Sequence, residues 1–283
     1  MAKLRLPSGR MTRRRFLAGA GGVAAAAVGV EGLLLEPNRL AVTDLTIGAA
    51  ARPSDTPLRA AVLTDLHLHS IGRLERAVSK AVALSEPDLV IIIGDAIDRA
   101  DALPVLADFL SLLPAKTPKY ATLGNWEHWC GVSLARLAAT YGRASVRLLV
   151  NESAEIPHRG QVGVLVGVDD LVGGAPDLRR ARRGHEDGTD ALLLSHCPAY
   201  RDSLGAAGSA FSAVLSGHTH GGQIALGPWA PFRPKGSGHY VSGWYRGGGP
   251  DLFVSRGIGT SVIPVRLGSV PEVVRLEWFL KSV

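Results

Sequence analysis

DLVIIIGD, residues 88–95, is an uninterrupted apolar run ending in glycine and aspartate. A strand without polar alternation is buried on both faces, as in parallel sheets covered by helices. Upstream, Leu74, Ala77, Val78, Ala81 and Val82 form an i, i+3, i+4, i+7, i+8 stripe, which predicts a helix over 73–85 stopped by Glu86-Pro87. Before it, LRAAVLTDLH (58–67) reads as a second buried strand. Pro53, Ser54, Asp55 and Pro57 mark a turn, preceded by the alternating, half-buried strand LAVTDLTIG (40–48). Downstream come a helix over 103–113, a strand over 119–123 and a helix over 133–141. This alternation argues for an α/β core with parallel strands.

The pattern changes at Val146. VRLLV, SAEIP and QVGVLVGV follow closely with no helix between them, so the second half is expected to be more antiparallel. A basic helix around 176–183 and the polar loop GHEDGTD (184–190) precede the strand ALLLSH. After FSAVLSGHTH, residues 227–250 are rich in Gly, Pro and aromatics, a long loop expected to rim a site. DLFVSRG and PEVVRLEW close the chain as strands.

Each strand candidate with an ionisable end carries the same chemistry. The segments are TDLHLH (64–69), GDAID (94–98), GNWEH (124–128), SHCP (195–198) and GHTHGG (217–222). Carboxylate, imidazole and amide oxygen suit borderline divalent metals, and no thiolate-rich set points to structural zinc. A two-metal centre needs a bridging carboxylate, and Asp95, at the end of the most apolar strand, is the natural one. Ions in such centres lie about 3.5–4 Å apart and clamp the attacking and leaving oxygens of phosphoryl transfer.

Asp65-x-His67, Gly94-Asp95-x-x-Asp98, Gly124-Asn125, His196 and Gly217-His218-x-His220 resemble, in order, the blocks of the calcineurin-like metallophosphoesterase superfamily. The tail SRGIGTSVIPVRLGSVPEVVRL is similar to the exported or membrane-associated phosphodiesterase branch of that superfamily. The resemblance implies a four-layer αββα sandwich of two mixed β-sheets flanked by helices, with the metal centre at the strand ends. It implies one metal on Asp65, His67, Asp95 and His220, and a second on Asp95, Asn125, His196 and His218. A hydroxide bridging the ions would attack phosphorus, and Asp98 would orient a ligand. Manganese, iron and zinc all suit this donor set. One departure stands out. Where the family has GNH, this chain has Gly124-Asn125-Trp126, and an indole is no acid. Three accounts compete: His128 takes the acid role from the next turn, Glu127 takes it, or the leaving group needs little help; His128 is favoured.

The 283 residues carry a net charge of +6, all of it local. Lys3, Arg5, Arg10, Arg13, Arg14 and Arg15 precede the first acid, Glu31, and the remaining charges balance. The neutral body argues against a nucleic-acid partner. The basic segment leads into FLAGAGGVAAAAVGV (16–30), and residues 12–17, TRRRFL, are similar to a twin-arginine export signal. Residues 1–36 are therefore expected to be that signal or, if retained, a membrane anchor, and 37–283 the catalytic domain. The expected partners are the twin-arginine export machinery, a membrane surface and a cell-envelope phosphodiester, including lipid-linked ones, outside the cytoplasmic membrane. An envelope metal-binding protein with little turnover stays open because of Trp126. Cys130 and Cys197 read as buried free thiols, His158 and His185 as exposed residues, and His69 and His239 as loop histidines near substrate or simply in loops. Trp229, Phe232, Tyr240, Trp244 and Tyr245 either form an acyl or sugar patch or hold the late loop down.

Overall fold

The computed structural model describes residues 13–50, 55–185, 190–227 and 229–280. Lys3, Arg5, Arg10 and Thr12 of the basic leader, Pro53 and Ser54 of the first turn, and residues 186–189 of the polar loop lie outside the described residues. The chain opens with α1 (Arg13–Val30), which runs on through the short helical turns Glu31–Leu35 and Glu36–Asn38. Then come β1 (Ala41–Ile47), β2 (Leu58–Thr64), α2 (Arg73–Leu84), β3 (Leu89–Ile93), α3 (Leu103–Leu112), β4 (Lys119–Thr122), α4 (Asn125–Trp129), α5 (Leu134–Arg143) and β5 (Val146–Leu148). The second half supplies β6 (Glu152–His158), β7 (Gln161–Gly167), α6 (Leu178–Ala181), β8 (Asp190–Leu194), β9 (Ala213–Ser216), β10 (Gly243–Tyr245), β11 (Leu252–Val254) and β12 (Glu272–Trp278).

Two six-stranded mixed sheets result, ordered β1-β12-β2-β3-β4-β5 and β10-β11-β9-β8-β7-β6. The apolar run at 88–95 explains how they stack. Along β3, Val90 and Ile92 face α2 and α3, meeting Val78, Val82, Leu106 and Phe109. Leu89, Ile91 and Ile93 face the other sheet, meeting Leu192, Leu194 and Leu215. Alternate residues of β8 and β9, Leu193 and Val214, form a third core with Ala181, Tyr200 and Phe211 on the far side. Burying each such aliphatic side chain stabilises the fold by about 1.5–3 kcal/mol. The layers are helix, sheet, sheet and helix, as expected.

The second half is less antiparallel than its strand spacing implies. β7 pairs parallel with β8, β8 with β9 and β9 with β11; only β6–β7 and β10–β11 are antiparallel there. Parallel neighbours need crossovers. Among the described residues the helical pieces in these are the four-residue α6, shorter than the basic helix expected over 176–183, and the 3₁₀ segments Pro198–Ser203, Gly205–Ala210 and His220–Gly222. Such pieces are too short to show a helical stripe in the sequence.

Parallel order has a consequence for the site. β2, β3 and β4 run side by side in one sheet, and β8 and β9 in the other, so each group delivers its carboxyl ends to one edge. Asp65 follows β2, Asp95 follows β3, Asn125 follows β4, His196 follows β8 and His218 follows β9.

Candidate metal centre

Two groups of buried donors form where these ends meet. Asp65, His67 and His220 each offer one atom, all within 4.8 Å of one another, and Asp95, His196 and His218 do the same. His67 Nε2 and His220 Nε2 lie 3.1 Å apart, and His218 Nδ1 and His196 Nε2 3.3 Å apart. Asp95 stands between the groups: its Oδ2 is 3.0 Å from His196 Nε2 and 3.7 Å from His67 Nε2. Asp65 Oδ1 is 3.4 Å from His220 Nε2. The other Asp95 oxygen, Oδ1, accepts the Trp126 backbone N–H at 2.9 Å. Asp95 thus turns one oxygen, Oδ2, to both groups and gives the other to the backbone.

The outward ring nitrogens decide what the inward ones can do. His196 Nδ1 faces the Ile93 carbonyl at 3.1 Å and His218 Nε2 the Lys235 carbonyl at 2.8 Å, while His220 Nδ1 lies between the Gly259 carbonyl at 3.3 Å and the Arg266 guanidinium, a donor, at 3.2 Å. His67 Nδ1 lies 3.5 Å from Asp98 Oδ2. A neutral imidazole that donates on its outer side presents a lone pair on its inner side. With His196 and His218 donating outward, their inward nitrogens converge with those of His67 and His220 and with two carboxylates on one point, a donor set suited to cations. Asn125 Oδ1 adds to the set, being buried with no hydrogen-bond partner among the described residues. This donor set fits two divalent ions of the manganese, iron or zinc type.

The electrostatics agree. Burial, His67 and Arg266 hold His220 well below the usual imidazole range, and burial and His196 lower His218. Burial opposes charge on His67 and His196 as well, but Asp98, Asp95 and Asp65 outweigh it and raise His67, while Asp95 and Asp65 raise His196. The carboxylates draw positive charge into a point where imidazole alone supplies little.

The backbone is strained at these positions. Asp65, His67, Asp95, His218 and His220 have φ of 52°, 43°, 51°, 71° and 50°. Non-glycine residues seldom adopt this left-handed region, and clusters of such residues mark functional sites.

A cavity of about 590 Å³ opens on the donors, and its lining includes Asp95, Asn125, His218 and His220. Trp126, Trp129, Phe232, Val262 and Ile263 make much of its wall. The calcineurin-like phosphoesterase family model matches residues 58–222, more than half of the chain. The chain belongs to that family. It is 29% identical over 278 residues to the metallophosphoesterase YkuE of Bacillus subtilis, covering 93% of this chain and 96% of that protein. It is 31% identical over 229 residues to the phosphodiesterase YaeI of Escherichia coli, covering 78% and 82%. It is also 29% identical over 265 residues to a bovine transmembrane protein with a metallophosphoesterase domain, covering 87% of this chain and 59% of that one.

Membership in the calcineurin-like phosphoesterase family supports metal-dependent hydrolysis of a phosphoester. Against that background the remaining residues sort themselves. Asp98 sits beside His67, with His69 Nε2 at 3.3 Å on its outer side, so His69 turns away from the donors. His128 Nε2 meets Asp169 Oδ1 at 2.7 Å and does not line the cavity. Glu127 is also turned away: its carboxylate accepts the backbone N–H groups of Asp95, Ala96, Ile97 and Gly124. Burial and Asp95 push its carboxyl up to about 7 against those donors. Trp126 walls the cavity, with its indole N–H donating to Ser261 Oγ at 3.1 Å.

His239 stacks on Tyr240, and His158 and His185 meet Thr56 and Glu155 outside the site. Tyr240 is buried and Trp244 packs edge-on to Phe253, so they hold the late loop down, while Trp229 and Phe232 stay exposed. Cys197 is a buried free thiol donating to Asp170; Cys130 is free but only half-buried. Sequence reasoning missed Arg266, buried against His220 and the Gly259 carbonyl. An arginine in a glycine-rich tail carries no motif, so no local signal marked it.

Proposed function

We propose that this protein is a binuclear metal-dependent phosphodiesterase of the cell envelope, held at the outer face of the membrane by its N-terminal helix. The convergence of six buried carboxylate and imidazole side chains in two groups carries this reading. One ion is assigned to Asp65, His67, Asp95 and His220, and the other to Asp95, Asn125, His196 and His218. When bound, the ions supply Lewis acidity toward phosphoryl oxygens and lower the pKa of an attacking water.

The chain's own residues do the rest. Asp98, beside His67 Nδ1, orients that ring with Nε2 inward; the Ile93 carbonyl orients His196 with Nε2 inward, the Lys235 carbonyl His218 with Nδ1 inward, and the Gly259 carbonyl and Arg266 hold the His220 ring with Nε2 inward. Trp126 offers the leaving group an apolar wall and no proton, since its only polar hydrogen is given to Ser261. His128 is a positioning residue, because its hydrogen bond to Asp169 ties α4 to the end of β7. A cavity of about 590 Å³ with apolar walls has room for an ester substituent on either side of phosphorus, which favours a diester. The similarity to the phosphodiesterase YaeI supports the same choice. The envelope location is supported by the apolar helical stretch Gly19–Asn38, long and apolar enough to cross a membrane, and by the twin-arginine sequence at 12–17.

The test is hydrolysis of bis-p-nitrophenyl phosphate by the full chain in detergent, stripped of metal and reloaded with manganese or zinc, beside Asp95→Asn. Turnover should appear on reloading, and the variant should stay at the level of the stripped protein. Stoichiometric metal uptake without turnover on this ester or on a phosphomonoester would instead favour an envelope metal-binding protein.

A further inference from the structure

We propose that the mouth of the cavity is a lipid-docking collar. Trp129, Leu226, Trp229, Phe232, Val262 and Ile263 enter the interface of the same bilayer that holds the N-terminal helix, and the metal centre opens onto lipid head groups rather than bulk water. The inference rests on the reading of a membrane-held phosphodiesterase and gives that site its orientation.

The collar is apolar where solvent exposure is greatest. Its six side chains are 56%, 67%, 60%, 74%, 90% and 46% exposed, in the order named. Trp129, Phe232, Val262 and Ile263 line the mouth itself, while Leu226 and Trp229 face each other across a short bridge beside it. Apolar side chains gathered around one opening mark an interaction surface. Tryptophans with exposed Arg233 and Lys235 in the same rim have the composition of a membrane interface facing phosphate.

What identifies the bilayer as the occupant is the construction of the membrane exit. The end of the N-terminal helix is clasped by residues 265–269. A Cβ on Gly32 would lie 3.3 Å from Val265 Cγ1, and Arg266 N–H donates to the Gly32 carbonyl at 2.9 Å. Glu36, buried, accepts the backbone N–H groups of Gly268 and Ser269. That clasp continues directly into Val262 and Ile263, within about 11 Å of chain from Val265. It also pairs with the segment bearing Leu226, through Ala225 N–H to the Leu267 carbonyl at 2.7 Å and Leu267 N–H to the Gln223 carbonyl at 2.9 Å. Leu33, Leu34 and Leu35, at the clasped end, are themselves exposed. A bilayer that covers those leucines therefore lies against the collar.

The full chain is placed in nanodiscs of equal parts phosphatidylcholine and phosphatidylglycerol, with ordinary or brominated acyl chains, and tryptophan fluorescence is compared. The helix Arg13–Val30 contains no tryptophan, so its insertion is silent. Bromine should quench the fluorescence, and Trp129→Phe with Trp229→Phe should remove most of that quenching, leaving the signal of Trp126 in the cavity wall, half-buried Trp244 and buried Trp278. Leu226→Glu, at a side chain outside the cavity lining, should weaken quenching of Trp129 while turnover of the soluble ester persists, which also shows that the variant folds. Quenching that is absent, or undiminished in the double variant, overturns the proposal. If Leu226→Glu instead converts a dimer into a monomer in detergent, a second copy covers the collar and the proposal likewise falls. Absence of turnover in metal-loaded wild type would overturn the phosphodiesterase reading alone, leaving the quenching result to stand.

Discussion

Glycine at two motif positions is a steric requirement of the carboxylates beside it. A Cβ on Gly124 would lie 2.2 Å from Asp95 Oδ1, and one on Gly217 2.2 Å from Asp65 Oδ2. Neither carboxylate can retreat freely, since Asp95 Oδ1 is held by Trp126 N–H and both Asp65 oxygens by His218 N–H. Gly124→Ala and Gly217→Ala should therefore displace a donor, lowering metal content and reducing turnover by about 10–100-fold or more. Metal analysis beside the soluble-ester assay decides this; wild-type values of both would mean that the carboxylates have room to move. At this scale the sequence was readable where a residue speaks for itself. Asp65, His67, Asp95, Asn125, His196, His218 and His220 announce metal chemistry by type and by their place at strand ends. Glu127 and Arg266 do not, because each acts on groups far away in sequence.

The short helix α4 shows how an element is held when it is too short to hold itself. Glu127 reaches back to Gly124 and across to the backbone after β3, and His128 reaches to Asp169 beyond β7. The His128 tie should be pH-dependent. Its hydrogen bond to Asp169 raises His128 above the ordinary imidazole value, against burial, so its stabilisation is full below about pH 6.5 and is lost as pH rises through the raised value. Asp169 is kept low, against burial, by His128 and the N–H groups of Ala175 and Asp170, so its share is lost only as pH falls through that lowered value, below about 3.9. The melting-temperature gap between wild type and His128→Gln should thus be widest between about pH 4 and 6.5 and narrow in alkali. Turnover should fall less than about tenfold, whereas loss of a general acid would cost about 10²–10⁴-fold. A loss of that larger size would make His128 the acid after all. Elements with a full helical stripe, such as α2, or an unbroken apolar run, such as β3, were legible in the sequence. The parallel pairing of β7, β8 and β9 was not, because the crossovers that permit it are made of single turns.

Across the whole molecule, one chain of contacts links the apolar N-terminal helix to the metal centre. Glu36 holds the N–H groups of Gly268 and Ser269, Ser269 Oγ donates to the His220 carbonyl, and Arg266 donates to the Ser269 carbonyl at 2.8 Å while its guanidinium packs against His220. Removing the Glu36 carboxylate leaves the exposed Gly268 N–H to water and the buried Ser269 N–H without an acceptor, the latter at a cost of about 1–3 kcal/mol. Glu36→Ala should accordingly raise amide exchange at residues 268 and 269 and, by loosening the support under His220, reduce turnover several-fold. Asn38→Ala is the matched control, since exposed Asn38 spends its amide on the Leu34 carbonyl of the same segment. Raised exchange with unchanged turnover would confine Glu36 to holding the helix. Raised exchange together with slowed turnover, absent from the control, would show that the hold on the helix and the geometry of the metal centre are one construction.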